Sequence, residues 1–376
     1  MTGTAGPVVV AVGANPTPIW GMSATERVRR LAAKAGLSFA SAQAAGPKLL
    51  VNLAYAFDPP LLRHLASEPG RILLDRERRP VIAHLAEEDG RLAEITTAME
   101  SGASLPQEPD AGEIVHDEGF TLYNHELRKR EQPFLMPLTP QTRPAIERAS
   151  YYAAYKGVTD ILTKYLWPEA ALVLTRLAAR IGATPNMVTA VGALLCVLAT
   201  YLFWHGEYWW GIAAGLVFMV LDTVDGKLAR CTITSSQWGN VFDHGIDLVH
   251  PPFWWWAWGV GLGTWGLAVS NEEFAFVMAA IIGGYVVQRL IEGLFMRLFG
   301  MHIHVWERLD SQFRLITARR NPNMVLLFGA LLFGRPDIGL ELVAWWTILS
   351  CLFHAVRLLQ AVIRRRSGGE IKSWLG

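Results

Sequence analysis

Two short segments carry most of the residues in this chain that could do chemistry: Asp222-Thr-Val-Asp225-Gly226-Lys-Leu-Ala229-Arg230 and, eight residues later, Gly239-Asn-Val-Phe-Asp243-His-Gly-Ile-Asp247. On a helix, residues three or four apart share a face, so Asp222 pairs with Asp225 and Asp243 with Asp247, and a helical hairpin would set the two pairs opposite one another. Carboxylates held that close repel, and a cation relieves the repulsion. An all-oxygen cluster suits Mg²⁺, Mn²⁺ or Ca²⁺ and not zinc. Gly226 and Ala229 leave a face without bulk on which a flat nucleotide could lie, and Arg230 is a permanent cation suited to phosphate. A solvated loop between two membrane helices would also be acidic, but it would not need the helical register these acids keep with the apolar residues beside them.

The spacing D-x-x-D-G-x-x-A-R-x8-G-x3-D-x3-D resembles the signature of the CDP-alcohol phosphotransferases, with all eight fixed positions present. The resemblance implies transfer of a substituted phosphate from a CDP-alcohol to an acceptor hydroxyl, with CMP leaving, in phospholipid biosynthesis. It implies two divalent cations, Mg²⁺ or Mn²⁺, held by Asp222, Asp225, Asp243 and Asp247, with Asp247 also taking the acceptor's proton. Gly226, Ala229, Arg230 and Gly239, together with Asp222, would line the CDP pocket. Proteins of this family carry Pro-Asn-x-x-Thr where this chain has Pro185-Asn186-Met-Val-Thr189, so Asn186 and Thr189 are expected at the donor pyrophosphate. A homodimer is implied as well. Arg314, Arg319 and Arg320 precede the helix start Asn321-Pro322 and are expected to read a phosphate on the acceptor, because helix N-termini and guanidinium forks both favour phosphate. The same arginines would also satisfy membrane topology alone.

The elements that must position these residues are membrane helices. The chain is 52% hydrophobic with 15 tryptophans and a net charge of +1, which points to the membrane class and gives no sign of a nucleic-acid partner. Apolar runs at Met187–His205, Tyr208–Leu221, Val241–Leu262, Phe274–Phe295, Met324–Phe333 and Leu340–Ile363 suggest six spans, the second and fifth borrowing flanking residues to reach the ~20 that a bilayer requires. Basic residues gather on the side holding the aspartates and the N-terminal region, which predicts a cytoplasmic active face in the inner membrane. Trp254-Trp-Trp-Ala-Trp258 reads as an aromatic belt at the far interface, with His250-Pro-Pro kinking the third span. The three cysteines are far apart and suggest neither disulfide nor thiolate metal site. No secretory signal opens the sequence.

Upstream, strand-length and helix-length apolar runs alternate from Pro7 to about Ile82, predicting a small cytoplasmic α/β domain over residues 1–120. Ser23 and Glu26 have capping-box spacing. Strand, loop and helix here resemble a nucleotidyltransferase domain of the kind some phosphotransferases carry, but the loop Gly13-Ala-Asn-Pro-Thr-Pro-Ile-Trp-Gly21 lacks the Gly-x-Gly-x-Arg run. A docking, dimerising or regulatory role is therefore expected in place of catalysis. Residues 87–118 read as an acidic linker. Arg128-Lys-Arg130 reads as a solvated face or as a contact for anionic headgroups. Val158–Ala183 reads as an amphipathic helix in the membrane interface, closing a linker region over 121–183. The expected whole is a polytopic α-helical membrane protein, with a six-helix phosphotransferase domain at 184–366 and a cytoplasmic tail at 367–376. The rivals from other classes are an ion-binding transporter, since intramembrane carboxylates mark ion pathways, and a non-catalytic membrane scaffold. No inverted repeat supports the transporter.

Overall fold

The structure is a computed structural model that describes residues 6–106, 112–117, 119–124 and 126–376. The chain's first five residues, part of the expected 87–118 linker and His125 of the basic cluster lie outside the described residues.

The N-terminal body is built on a five-stranded mixed sheet in the order β1-β2-β5-β4-β6: β1 (Val8–Val12), β2 (Lys48–Asn52), β4 (Ile72–Leu74), β5 (Pro80–Leu85) and β6 (Glu113–Val115). β1 and β2 run parallel through the crossover helix α1 (Ala24–Lys34), whereas β5 is antiparallel to both β2 and β4. Alternation along the strands sends residues to opposite faces. Val10, Leu50, Ile72 and Leu74 pack under α3 (Leu92–Ser101), while Val9, Leu49, Val51 and Leu73 pack with α1 and α2 (Pro59–Ala66).

Three expectations for this region are corrected. The acidic stretch holds α3 and β6, because Ile95, Ala98 and Met99 recur at helical spacing among the acids and are buried. The body also runs past residue 120: β7 (Leu122–Asn124) and β8 (Lys129–Glu131) form a hairpin, β9 (Leu135–Pro137) pairs with β3 (Tyr55–Phe57), and α4 (Arg143–Ala153) follows. Only half of the capping box forms: Ser23 accepts from the Glu26 amide, but the Glu26 carboxylate turns to Arg29 and Arg30. The loop from Gly13 to Gly21, where such folds often bind ligand, is filled by the chain itself. Trp20, at φ +50° and buried, donates its indole N–H to Ser150 of α4 from 2.8 Å, and Asn15 donates to the Leu138 carbonyl.

The expected single interfacial helix over 158–183 is broken. A π-helical turn (Leu162–Leu166) leads to α5 (Pro168–Arg180), and Pro168, which cannot donate to the preceding turn, starts a new helix instead of continuing the old one. Tyr165, Leu166, Val173, Leu177 and Ile181 remain exposed, while Ala171, Leu172, Thr175 and Ala178 turn inward.

The bundle follows: α6 (Pro185–Trp204), α7 (Tyr208–Cys231), α8 (Gln237–Gly261), α9 (Asn271–Met278) continuing through a π-turn into α10 (Gly284–Phe299), the short α11 (Arg308–Phe313), α12 (Arg320–Leu332) and α13 (Pro336–Arg366). Among the described residues, three helices are long and apolar enough to cross a membrane: Pro185–Trp204, Asn271–Phe299 and Pro336–Arg366. α7 and α8 have 24 and 25 residues but carry the aspartates, and α12 has only 13.

The tryptophan run is not a belt. Trp254, Trp255 and Trp258 are buried with Phe203, Tyr208 and Phe218 in the bundle core, and the indoles of Trp254 and Trp258 donate to the carbonyls of Cys196 and Pro336. Burying a large apolar side chain is worth about 1.5–3 kcal/mol, and these indole N–H groups lose nothing because each finds an acceptor. α8 runs unbroken through Pro251 and Pro252. Pro252 has no N–H for the Leu248 carbonyl, and the Tyr285 hydroxyl donates to that oxygen from 3.0 Å.

The N-terminal body and the bundle share one core. Val188, Val224, Leu228, Cys231 and Ile233, at the site ends of α6 and α7, cluster with residues of the sheet, α1, α2, α4 and α5.

Candidate active site

α7 and α8 bring Asp222, Asp243 and Asp247 together, each offering a carboxylate oxygen within 4.8 Å of the others. Asp225 stands apart, toward α6, where it accepts from the Thr189 hydroxyl at 2.6 Å and from the Gly226 amide at 2.5 Å. Of the four expected metal-binding acids, then, three converge directly, and Thr189 engages the fourth in place of standing free for a pyrophosphate. The three converging acids form an all-oxygen set of the kind that fits a hard divalent cation.

Arg320, expected at an acceptor phosphate, lines the same cavity but is engaged by the acids. Its guanidinium donates to Asp222 and to Asp247, 2.6 Å from each, with its plane near the Phe218 ring. Arg314 and Arg319, expected at the same phosphate, also line the cavity. Burial takes the Arg314 guanidinium down to about 9, helped by repulsion from Arg319, and its Nη1 has no hydrogen-bond partner among the described residues.

The small residues make room for neighbours. A β-carbon on Gly226 would stand 3.0 Å from the Arg230 guanidinium, and one on Gly239 would stand 3.0 Å from the Asn186 side-chain oxygen. The face over Gly226, expected to receive a nucleotide, thus also holds the Arg230 guanidinium. Arg230 Nε and Lys227 Nζ both donate to the Ala154 carbonyl at the end of α4, 3.0 Å from each, where the helix dipole favours cations. Ala229 sits on the same turn.

The cavity has a volume of about 590 Å³. Besides the converging acids, its lining includes the cations Arg128, Lys156, Arg230, Arg289, Arg314 and Arg319. Glu292, also in the lining, accepts from Arg319 at 2.6 Å and pairs with Arg289 at 3.1 Å, while His304 and His354 complete a cluster around it. Asp160 accepts from Thr163 and from Asn321, tying the 158–166 segment to the start of α12. Of these residues, Arg230, Arg314 and Arg319 stand out in the sequence, Arg128 belongs to its basic cluster, and Arg289 and Glu292 have the spacing of three that pairs residues on a helix. Asp160, His304 and Lys156 come from irregular segments and have no signal there.

The sequence profile of the CDP-alcohol phosphatidyltransferase family matches residues 183–301. This part of the chain is a CDP-alcohol phosphatidyltransferase domain. The chain is 28% identical over 194 residues to archaetidylinositol phosphate synthase of Pyrococcus horikoshii, covering 48% of this chain and 88% of that protein. It is 29% identical over 114 residues to a phosphatidylinositol phosphate synthase of Streptomyces avermitilis, covering 30% and 45%, and 30% identical over 171 residues to cholinephosphotransferase 1 of Xenopus laevis, covering 43% and 38%. It therefore spans less than half the length of the last two. A solved phosphatidylinositol phosphate synthase of Mycobacterium tuberculosis, crystallised with manganese and citrate, aligns at 16% identity and a TM-score of 0.38 over 50% of this chain and 88% of that one. Within the transferase domain lie all four aspartates, Asn186, Thr189, Gly226, Ala229, Arg230 and Gly239. Arg314, Arg319, Arg320, Arg128 and Lys156 fall outside it and still line the same cavity.

Proposed function

We propose that this chain transfers a substituted phosphate from a CDP-alcohol to an acceptor hydroxyl with release of CMP, in phospholipid synthesis of the inositol-phosphate type. The observation that carries the reading is the convergence of Asp222, Asp243 and Asp247 in a cavity that several cationic side chains also line. Acids for divalent cations and cations for phosphates are what such a transfer needs, since the protein's task is to position the partners and offset charge.

The donor is CDP-diacylglycerol or a CDP-polyol, and the acceptor carries a phosphate. Asp222, Asp225, Asp243 and Asp247 hold two divalent cations, Mg²⁺ or Mn²⁺, which when bound supply positive charge to the pyrophosphate and to the leaving CMP. Arg230, steadied by the Ala154 carbonyl, faces the donor's phosphates, with Asn186 and Gly239 beside it. Asp247 takes the acceptor's proton. Arg320 holds that carboxylate in place and must shift to free it. Arg314 and Arg319 meet the acceptor phosphate, with Arg319 aimed by Glu292.

Around this site we assign six spans, α6, α7, α8, α9–α10, α12 and α13, with the aspartates and N-terminal body on the cytoplasmic face of the inner membrane, in a homodimer. The N-terminal body docks on the transferase domain and does not catalyse, since its ligand loop is filled by Trp20.

The test is CMP release by the purified protein from CDP-diacylglycerol, measured with and without inositol phosphate. Release that depends on the acceptor, disappears with chelator and returns with Mg²⁺ or Mn²⁺ is the expected result. Full activity in chelator, or no CMP from any CDP-alcohol, would overturn the assignment.

A further inference from the structure

Two of the cations on the cavity wall reach it from outside the membrane bundle, and their placement depends on one glycine. The Gly157 amide donates to the Leu127 carbonyl at 2.8 Å, zipping the turn that ends in Lys156 against the turn that carries Arg128. The approach is too close for any other residue. A β-carbon at position 157 would stand 2.5 Å from the Arg128 carbonyl oxygen and 2.7 Å from the Lys129 β-carbon. Arg128 itself sits at φ +52°, a left-handed conformation that costs energy for a residue with a side chain and collects at functional sites.

The two side chains so placed both line the cavity. Neither has a hydrogen bond or ion pair with another described residue, although acids stand nearby in the cavity wall. Desolvation lowers the pKa of the half-buried Arg128 and, inside the cavity, that of Lys156 as well, although Lys156 stays open to solvent. Repulsion from Arg319 adds to the shift at Arg128, and repulsion from Arg230 and then Arg128 adds to it at Lys156. The pair thus feels both Arg230, assigned to the donor, and Arg319, one of the two arginines assigned to the acceptor. Cations set this close repel one another, and a bound anion offsets the repulsion.

We propose that Arg128 and Lys156, joined through Gly157, form an anion subsite for a phosphate group, supplied by the upstream segment to a cavity otherwise built by the membrane bundle. The subsite rests on the transferase reading for its substrate class, but not for its existence. It makes the upstream segment a specificity element. The transferase domain alone lacks both cations.

The experiment is binding of inorganic phosphate to the full-length protein in detergent with Mg²⁺, with CMP binding measured alongside. Arg128→Gln combined with Lys156→Gln is expected to weaken phosphate by about tenfold or more, as loss of charge-assisted hydrogen bonds does, with CMP affinity held within about twofold. Gly157→Ala, which keeps both cations but parts the two turns, is expected to weaken phosphate as well. A second measurement needs no variant: mass-spectrometric readout of Lys156 acetylation, which phosphate is expected to slow several-fold. Unchanged phosphate affinity in the double variant, or acetylation of Lys156 indifferent to phosphate, overturns the subsite. Repeating the acetylation in nanodiscs of phosphatidylcholine, with and without phosphatidic acid, separates the sources. Protection by soluble phosphate in pure phosphatidylcholine assigns a free phosphomonoester, and protection by phosphatidic acid alone assigns a lipid headgroup. A protein that binds phosphate through these residues but releases no CMP keeps the subsite and loses the proposed transferase activity; CMP release with phosphate binding blind to the variants does the reverse.

Discussion

Arg320, the first residue of α12, donates to Asp247 in the middle of α8 at 2.6 Å while its other terminal nitrogen holds Asp222 on α7. One guanidinium thereby ties three helices together at the acidic cluster. Arg320→Gln should leave two partly buried carboxylates facing each other, a loss of about 3 kcal/mol when no divalent cation is present. We expect the variant's melting temperature to fall in chelator and to be largely recovered by Mg²⁺, measured by thermal unfolding in detergent. A melting temperature that responds to Mg²⁺ no more than the wild type's would show that Arg320 is not offsetting these charges.

Asp247 is the only one of the three converging acids whose side chain is substantially open, at 44% exposure, which suits the group that meets the acceptor. Asp247→Asn should cut transfer by about 10²-fold or more while CMP binding stays close to normal. Asp243→Asn should instead raise the Mg²⁺ concentration needed for activity. If Asp247→Asn turns over normally, the proton goes to another group.

Arg319 donates to Glu292 with one terminal nitrogen, and its Nε has no partner among the described residues. Lysine would keep the charge and lose the planar fork. Arg319→Lys should raise the acceptor's KM by about tenfold and move the donor's by no more than about twofold. Equal kinetics would reduce Arg319 to a topology marker. Arg320→Lys does not test the acceptor site, since Arg320 serves the aspartates.

Topology needs reporters other than the native thiols near the site. Cys196 and Cys231 are buried, so an impermeant reagent should miss them from either side. Cysteines placed at the exposed positions Ser270 and Ser367 in a variant lacking Cys351 should divide: Ser270→Cys labelled in intact cells, Ser367→Cys labelled only after lysis. The opposite pattern would put the aspartates on the far side of the membrane.

The N-terminal body should show its own pH dependence. Burial, with Glu131 adding to it, pushes the Asp58 carboxyl at the start of α2 up to about 7. The folded state then keeps a proton that the unfolded chain gives up near pH 4, so stability should fall as pH rises from about 4 to about 7. Asp58→Asn should flatten that decline in melting temperature and make the protein more stable than wild type at pH 8. An unchanged slope would assign the decline to other groups.

The spacing of the motif made the acidic cluster legible before any coordinates, because helical period alone sets Asp222, Asp243 and Asp247 on facing sides. Where Asp225 would turn was not legible, since its partner Thr189 lies on another helix. The tryptophan run misled for a related reason. Aromatic residues near a helix end suit an interface by composition, but only packing reveals that carbonyls of Cys196 and Pro336 await two indole N–H groups inside the bundle. Arg128 and Lys156 left no periodic trace because turns position them, and a turn's reach depends on chain that is distant in sequence.

The core that runs from the sheet through α4 and α5 into α6 and α7 also bears on how such a protein could be altered. A cut ahead of Pro185 would not separate two independent bodies. It would strip the cover from Val188, Val224, Leu228, Cys231 and Ile233 and remove the carbonyl that steadies Arg230. Grafting this transferase domain onto another upstream domain would therefore require recoding that apolar seam, and a truncated bundle should come out of the membrane aggregated even though every residue of its motif is intact.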